Sequence, residues 1–377
     1  MAQQCRHEMA TTRLFRLAQR WAAPAASRLR VTRIGYTSFA CGIWLALLGV
    51  PGHAAQFAYV GNQDSNTVSV IDTATNAVVG APIALGGGAG CVAGKPDGSR
   101  VYVGMYNGSV AVIDTTTNAV VGTPIAVGTD AGCVAVNPAG TRAYVSSYAD
   151  NAVSVIDTST NTVIGAPIAV GSGPEFLVVK PDGTRVYVGN SVGNSVSVID
   201  TSTNAVVGVP IAVGMNPTGI GITPDGSRLY VANFYGNSVS VIDTATSAVV
   251  GAEIAVGSQP RGLAVNPAGT FVYVVNAAGG TISVIATATN AVVGSAINPG
   301  GGDPWTIAFD STGTRAYVTL RFSNKVSVID TATNALVGTP IAVGTGPTGI
   351  AIVLPPPALQ GVTSRKVHGA TAHDLPL

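Results

Sequence analysis

Histidine residues are the first place to look for acid–base or metal-binding chemistry, because imidazole titrates near neutral pH and binds transition metals. The chain has four histidines, His7, His53, His368 and His373, and all lie near its ends. Residues 55–353 contain none. The sequence therefore predicts no histidine-based general acid, general base or ligand in this part of the chain, and no cofactor or metal site.

Aspartate residues recur at regular spacing and could form a ring of acids that binds cations. The recurring positions are Asp72, Asp114, Asp157, Asp200, Asp243 and Asp330. Each is followed by a Thr-x-Thr sequence, which favours a turn in which the aspartate side chain accepts a hydrogen bond from the backbone two residues on. We predict that these aspartates are structural, and that the arginines recurring once per repeat, such as Arg185, pair with them.

The aspartates belong to a repeat that can be followed through most of the chain. The segment Val70-Ile-Asp-Thr73 recurs seven times, 42 to 44 residues apart, with Ala286 in place of Asp in the sixth copy. A Tyr-Val pair such as Tyr187-Val188 also occurs seven times. Each repeat reads as four short strands separated by Pro-Asp-Gly-type turns and polar loops. A four-stranded repeat of about 43 residues has the size of one β-propeller blade.

The ends of the repeat region predict a closed ring. The region opens at Phe57-Ala-Tyr59, which matches the second strand of a blade, and the missing first strand is supplied by Gly349–Val353. We therefore predict an all-β fold, a seven-bladed β-propeller of four-stranded antiparallel blades, closed when the C-terminal strand joins the N-terminal blade.

The pattern Tyr230-Val-Ala-Asn233, followed by Val-Ser-Val-Ile-Asp, resembles the YVTN family of β-propeller repeats. The resemblance covers about 300 residues. It implies a secreted or cell-surface bacterial or archaeal propeller of the surface-layer-like or periplasmic type. The family has no agreed catalytic residues, so the resemblance transfers none to this chain.

The chain divides into three predicted parts. Residues 1–54 have a basic segment, an apolar stretch at 39–50 and small residues before Ala54, a pattern typical of a signal peptide; the apolar stretch is short for a membrane anchor. Residues 55–353 form the propeller, and residues 354–377 a proline-rich linker and a disordered tail. We predict an exported protein, periplasmic, cell-surface or secreted, with no transmembrane anchor in the mature chain.

The charge of the propeller bears on its partners. Residues 55–353 hold ten Lys and Arg against sixteen Asp and Glu. Nucleic-acid backbones are bound by clustered basic side chains. A nucleic-acid partner is therefore not expected, and we predict an extracellular or envelope protein or a glycan instead.

Two cysteines, Cys91 and Cys133, occupy the same place in neighbouring repeats. A disulfide needs Cα atoms within about 7 Å, and we expect the inner strands of adjacent blades to lie farther apart. We predict two small buried hydrophobic residues.

The loops between strands two and three, and between strand four and the next blade, vary in sequence and share one face of the propeller. Aromatic residues and arginine favour binding on such a face. The predicted binding residues are Tyr106, Tyr148, Glu175, Phe234, Tyr235, Arg261, Asp303, Trp305, Arg321 and Phe322.

Three functions are compatible with this pattern. We predict a non-enzymatic propeller that binds an extracellular protein or an envelope glycan, because no pairing of a base with a nucleophile is visible. The second hypothesis is a structural component of the envelope or surface layer. The third is a lactonase or hydrolase that uses Glu175, Asp130 or Asp303 with a metal ion.

Overall fold

The computed structural model describes residues 56–355. The predicted signal peptide, residues 1–54, and the predicted tail beyond residue 355 lie outside the described residues. All regular structure in residues 56–355 is β-strand. This part of the chain has no helix long and apolar enough to cross a membrane.

The strands form seven antiparallel sheets, which are the blades of the propeller. In blades 2 to 7 the strands lie side by side in chain order from the central channel outwards, whereas in blade 1 the innermost strand is the last one in the chain. The first strands, from blade 1 to blade 7, are Pro347–Val353, Ala89–Gly94, Ala131–Val136, Pro174–Val179, Pro217–Ile222, Pro260–Val265 and Pro304–Phe309. The second strands are Phe57–Asn62, Arg100–Met105, Arg142–Ser147, Arg185–Asn190, Arg228–Asn233, Phe271–Asn276 and Arg315–Leu320. The third strands are Thr67–Asp72, Ser109–Asp114, Ala152–Asp157, Ser195–Asp200, Ser238–Asp243, Thr281–Ala286 and Lys325–Asp330.

The outermost strand of each blade is broken into short pieces. These are Ala77–Val78, Ile83–Ala84, Ala119–Val120, Ile125–Ala126, Thr162–Val163, Ile168–Ala169, Ala205–Val206, Ile211–Ala212, Ala248–Val249, Ile254–Ala255, Ala291–Val292, Ala335–Leu336 and Ile341–Ala342. In blade 4, the sequence of residues 205–213 alone is consistent with one continuous outer strand. The strand is interrupted because Gly208 has a φ of 70° and Pro210 has no N–H to donate to the sheet.

The ring closes as the sequence predicted. In blade 1 the strand from the far end of the chain pairs with the first described strand, with Phe57 opposite Val353 and Asn62 opposite Pro347. Gln56 adds a second link, since its side chain donates a hydrogen bond to Ser311 and accepts one from the Ser311 amide at 3.0 Å. The seven-bladed all-β propeller is thereby confirmed.

Adjacent blades share their apolar cores and are also linked by the recurring tyrosine. The cluster around Tyr230 joins Val239 and Val241 of blade 5 to Leu263 and Val274 of blade 6. Tyrosine hydroxyls cross to asparagines in the next blade's turn; the pairs are Tyr59 with Asn118, Tyr102 with Asn161, Tyr230 with Asn290, Tyr273 with Asn334 and Tyr317 with Asn76. The Tyr-Val marker therefore reports a contact between blades.

Replacing Tyr230 by phenylalanine is expected to lower the free energy of unfolding by about 1–2 kcal/mol. The hydroxyl of Tyr230 is buried and donates to Asn290 Oδ1 at 2.8 Å, so its loss leaves that oxygen without its donor. Urea unfolding of the variant measures the effect. Tyr235→Phe is the control, since Tyr235 is 60% exposed; equal losses in both variants would contradict the role given to the Tyr230 hydroxyl.

The recurring aspartates are turn residues, as predicted. Asp114 Oδ1 accepts hydrogen bonds from the amides of Thr116 and Thr117 at 2.8 and 3.0 Å. The predicted ion pairs form in three blades: Arg100 lies 2.5 Å from Asp114, Arg228 lies 3.3 Å from Asp243, and Arg185 pairs with Asp200. These carboxylates are therefore engaged at the blade edge, where they hold turns in place. For Arg142 and Arg315 the prediction is wrong, because they donate to the carbonyl oxygens of Thr201 and Thr73 in the next blade.

The prediction for Cys91 and Cys133 is wrong, because the two residues form a disulfide with Cα atoms 4.6 Å apart. The inner strands of blades 2 and 3 come this close because glycine precedes each cysteine. A Cβ on Gly90 would lie 2.3 Å from the carbonyl oxygen of Gly132. The disulfide thus joins two neighbouring blades beside the central channel.

The asparagine that ends the second strand fixes the channel-side loops. In blade 5, Asn233 is fully buried and its Nδ2 donates to Ser238 and Ser240 at 3.0 and 2.9 Å. Gly214, in the loop that enters this blade, packs directly on the amide, where a Cβ would lie 2.4 Å from Nδ2. Blades 1, 4 and 6 repeat this arrangement with Asn62, Asn190 and Asn276.

Candidate functional site at the channel mouth

The first strands bring one side chain from each blade to the same level of the channel. In all seven blades the first residue of the first strand pairs with the last residue of the second strand. The second residues of the seven first strands therefore lie at one level and form a ring around the channel. From blade 1 to blade 7 this ring consists of Thr348, Gly90, Gly132, Glu175, Thr218, Arg261 and Trp305. The large polar and aromatic side chains come from blades 4, 6 and 7, and the remaining positions are small.

A cavity of about 410 Å³ occupies the channel mouth. Glu175, Arg261 and Trp305 line one side of it, and the disulfide lines another part of the wall. Tyr106, Tyr148 and Asp130 also line the cavity. Below the ring, apolar side chains complete the lining; these are Val92, Val134, Ile220, Leu263 and Ile350.

Glu175 and Arg261 lie side by side in this cavity, although 86 residues separate them in sequence. Arg261 Nη2 is 3.5 Å from Glu175 Oε1, and the two side chains are 20% and 25% exposed. Burial raises the pKa of Glu175, the charge of Asp130 raises it further, and the charge of Arg261 opposes the shift. The site therefore holds a carboxyl group with a proton affinity above that of an ordinary glutamate, next to a guanidinium.

Trp305 holds two guanidinium groups near its ring. Arg261 Cζ lies 3.3 Å and Arg321 Cζ lies 4.4 Å from the ring centroid, distances at which cations are attracted to an aromatic ring. Arg321 also pairs with Asp64 at 3.7 Å. The Nε of Arg261 is buried and has no hydrogen-bond partner among residues 56–355.

Two aspartates support the loops above the ring. Asp130 and Asp303 occupy equivalent places before the first strands of blades 3 and 7, with φ values of 58° and 55°, a backbone conformation that aspartate tolerates. Their carbonyl oxygens accept hydrogen bonds from the amides of Tyr148 and Arg321, both at 3.1 Å. Burial raises the pKa of both carboxyl groups.

A family model described as "Lactonase, 7-bladed beta-propeller" matches residues 142–341, which is more than half of the chain. The chain belongs to this lactonase family. The predictions of a non-enzymatic binding propeller and of a protein without enzyme activity are therefore wrong, and the family match also overturns the hypothesis of a purely structural envelope component.

Solved structures agree with the lactonase-family fold. Hydrazine synthase of Kuenenia stuttgartiensis is 25% identical with a TM-score of 0.62, covering 68% of this chain and 87% of that chain. A functionally unknown protein from Desulfotomaculum acetoxidans is 20% identical with a TM-score of 0.70, covering 79% and 99%. A candidate 6-phosphogluconolactonase from Bacteroides uniformis is 15% identical with a TM-score of 0.67, covering 80% and 100%. No curated protein sequence matches the chain.

The physical reason for the wrong functional prediction lies in the ring of this lactonase-family propeller. The prediction rested on the lack of histidine and of a visible base, yet the ring places the carboxyl group of Glu175 beside the guanidinium of Arg261 without any imidazole. Within residues 56–355, no group of three or more His, Cys, Asp or Glu residues is placed to hold a metal ion.

The structure brings together most of the residues that the sequence singled out. Tyr106, Tyr148, Glu175, Arg261 and Trp305 line the cavity. Of the others, Phe234 and Arg321 contact the lining, Asp303 precedes it, and Tyr235 and Phe322 lie outside it, 60% and 78% exposed.

The sequence analysis did not predict the disulfide or the small residues that occupy the four other positions of the ring formed with Glu175, Arg261 and Trp305. The signal that could have found the site is the ring position itself. Each first strand has an apolar residue at the position of Leu177 in blade 4. The residue two places before it is Glu, Arg or Trp in three blades and only Gly or Thr in the other four.

Proposed function

We propose that this protein hydrolyses a cyclic ester in the cavity at the channel mouth. The observation that carries the proposal is the contact between Glu175 and Arg261 inside that cavity. Opening a lactone with water requires a base that takes a proton from the water and a donor that stabilises the oxyanion of the tetrahedral intermediate. The product is a hydroxy acid.

Glu175 has the properties of the base. Its raised pKa makes its carboxylate a stronger proton acceptor than that of an exposed glutamate. The same carboxyl, once protonated, can return the proton to the ring oxygen that leaves as an alcohol. Tyr106, whose pKa is also raised by burial, stays protonated at neutral pH and offers a second donor at the cavity wall.

Arg261 has the properties of the oxyanion donor. Stacking on Trp305 and the contact with Glu175 hold the guanidinium plane in one orientation. The Arg261 side chain lines the cavity and is 20% exposed, so its guanidinium can donate to the carbonyl oxygen of the substrate. A positive charge fixed in a partly dry cavity stabilises a developing negative charge more strongly than it would in water.

The direct test is proton release by the full chain from a panel of five- and six-membered lactones, with open-chain esters of matched size for comparison. We expect hydrolysis of at least one lactone class well above the spontaneous rate. Hydrolysis of no member of the panel, by protein with its disulfide formed, would contradict the proposal.

The rate is expected to depend on pH through Glu175. Only the carboxylate accepts a proton from water, so the rate falls as the pH drops through the pKa of this group. Because burial raises that pKa, the acidic limb of the kcat/KM profile should have its midpoint above about 4.3, the ordinary glutamate value. A midpoint at or below that value would show that another group is the base.

Replacing Arg261 by lysine is expected to lower kcat/KM about 100-fold. Lysine keeps the charge but lacks the planar guanidinium, which lies over the Trp305 ring and carries a fixed fork of N–H donors. Arg185→Lys is the matched control, because Arg185 pairs with Asp200 at the blade edge, and it should stay within about twofold of the wild type. Equal effects of the two substitutions would remove Arg261 from the mechanism.

We also propose that the repeats are of the YVTN type and that the protein is exported. The recurring pattern seen at Tyr230-Val-Ala-Asn233 supports the first point. The basic and apolar leader and the Cys91–Cys133 disulfide support the second, because disulfides persist in oxidising compartments.

A further inference from the structure

One side of the channel mouth carries exposed apolar side chains. Val192, Met215 and Tyr235 are 59%, 58% and 60% exposed, and they lie on the loops of blades 4 and 5. We call these three residues the apolar rim. At the loop positions equivalent to Val192 and Tyr235, blade 7 has Phe322, which follows the charged Arg321, and the other four blades have polar or small residues: Asp64, Asn107, Ala149 and Ala278.

The rim is continuous with the reactive end of the cavity. Arg261 Cζ lies 5.7 Å from the ring centroid of Phe234, which packs edge to face on Tyr235 with the ring centroids 5.0 Å apart. The Tyr235 amide donates to the Met215 carbonyl at 3.2 Å. A side chain that starts at the Arg261 guanidinium can therefore follow Phe234 outwards onto the rim.

The loop of Val192 is joined to the same surface. Asn216, next to Met215, donates from Nδ2 to the carbonyl oxygen of Ser191 at 3.2 Å, and its backbone amide donates to Asn194 Oδ1 at 2.7 Å. Backbone and amide contacts thus fix the two loops against each other, and the rim is a built surface.

The rim carries no charge. Residues 191–194, 214–216 and 234–237 contain no Lys, Arg, Asp or Glu, so these loops offer no ion pair to a charged substituent, and the exposed side chains of Val192 and Met215 favour a neutral hydrocarbon chain. Val192, Met215 and Tyr235 lie on adjacent loops of blades 4 and 5, so they form one surface that matches a single linear chain leaving the cavity on that side.

We propose that the apolar rim binds the hydrocarbon chain of the substrate, so that the lactone taken by this protein carries an alkyl substituent of several carbons. This inference rests on the proposed lactone hydrolysis and names its substrate class. The ring of the lactone lies against the contacting Glu175 and Arg261 side chains, and its alkyl chain runs past Phe234 to Met215 and Tyr235.

The test uses ketone analogues that bind without being hydrolysed. Calorimetric titration of the full chain with cyclopentanone, 2-butylcyclopentanone and 2-hexylcyclopentanone measures how Kd depends on chain length. Each methylene that reaches the rim should lower Kd about two- to fourfold. In a Met215→Ser, Tyr235→Ser double variant this dependence should be largely lost, whereas Val209→Ser, which alters an 84% exposed apolar residue of the outer edge, should keep it.

The outcomes separate the two proposals when lactone hydrolysis is measured in parallel. Hydrolysis of lactones with a Kd that does not change with chain length would overturn the rim and leave the proposed function standing. Chain-length-dependent binding that the rim variant loses, without hydrolysis of any lactone, would support the rim and overturn the proposed function. The wild-type series alone decides the first case, so the test does not depend on how the double variant folds.

Discussion

Glu175→Gln is expected to lower kcat/KM for lactone hydrolysis about 1000-fold, within the range found for loss of a general base. Glutamine has nearly the same shape and keeps an oxygen that can accept from Arg261 Nη2, which lies 3.5 Å from Glu175 Oε1. It cannot accept a proton from water at neutral pH. The measurement is the initial rate of proton release at several lactone concentrations, which separates an effect on kcat from one on KM.

The chain offers a matched control for this substitution. Glu253 is the other glutamate among residues 56–355; it is exposed at the outer edge of blade 5, where it accepts a hydrogen bond from Ser238. Glu253→Gln should leave the rate unchanged. A Glu175→Gln variant as active as Glu253→Gln would show that the base lies elsewhere.

Replacing both Cys91 and Cys133 by serine is expected to lower the free energy of unfolding by about 4 kcal/mol on the chain-entropy model. The disulfide closes a loop of 42 residues, which comprises one whole blade repeat, and its loss restores conformational freedom mainly to the unfolded chain. Urea unfolding of the double variant, compared with the oxidised wild type, measures the loss.

The reduced wild type, in which both cysteines are thiols, separates the effect of losing the covalent bond from the effect of changing cysteine to serine. Reduced wild type should unfold at nearly the same urea concentration as the double variant, because both lack the covalent link. Stability equal to that of the oxidised protein in both cases would mean that the neighbouring blades are held by their packing alone. Since the disulfide lies in the cavity wall, the lactone KM of the double variant also reports whether the bond shapes the site.

The fold was predictable because each repeat repeats its chemistry. Tyr, the Asp-Thr turn and the Pro-Asp-Gly turn recur in register, and a strand missing from the first repeat appears after the last. The interruption of the outer strand at Gly208 was not evident from periodicity, since a positive φ at one glycine (70°) decides it.

The site could be predicted only in part. The variable loops identified the face of the propeller on which the cavity opens and included Glu175, Arg261 and Trp305, because departures from a repeat are concentrated where the ring is not symmetric. The contact between Glu175 and Arg261 crosses the channel between blades 4 and 6, and a repeat pattern gives the level of a residue in the ring but not the distance across it. The disulfide could not be predicted from the sequence for the same reason. It depends on how closely the backbones of two neighbouring blades approach each other at Gly90 and Gly132.

The central claim, that Glu175 acts as the base of a lactone hydrolase, is tested most directly by chemical rescue of a Glu175→Ala variant. The measurement is the rate of proton release from the best lactone of the panel, without and with added formate, whose carboxylate fits the space that the glutamate leaves. The account predicts a rate lowered about 1000-fold without formate and a saturable recovery as formate is added. A variant that keeps the wild-type rate, or one that formate does not restore although it still folds and binds 2-butylcyclopentanone like the wild type, would contradict it.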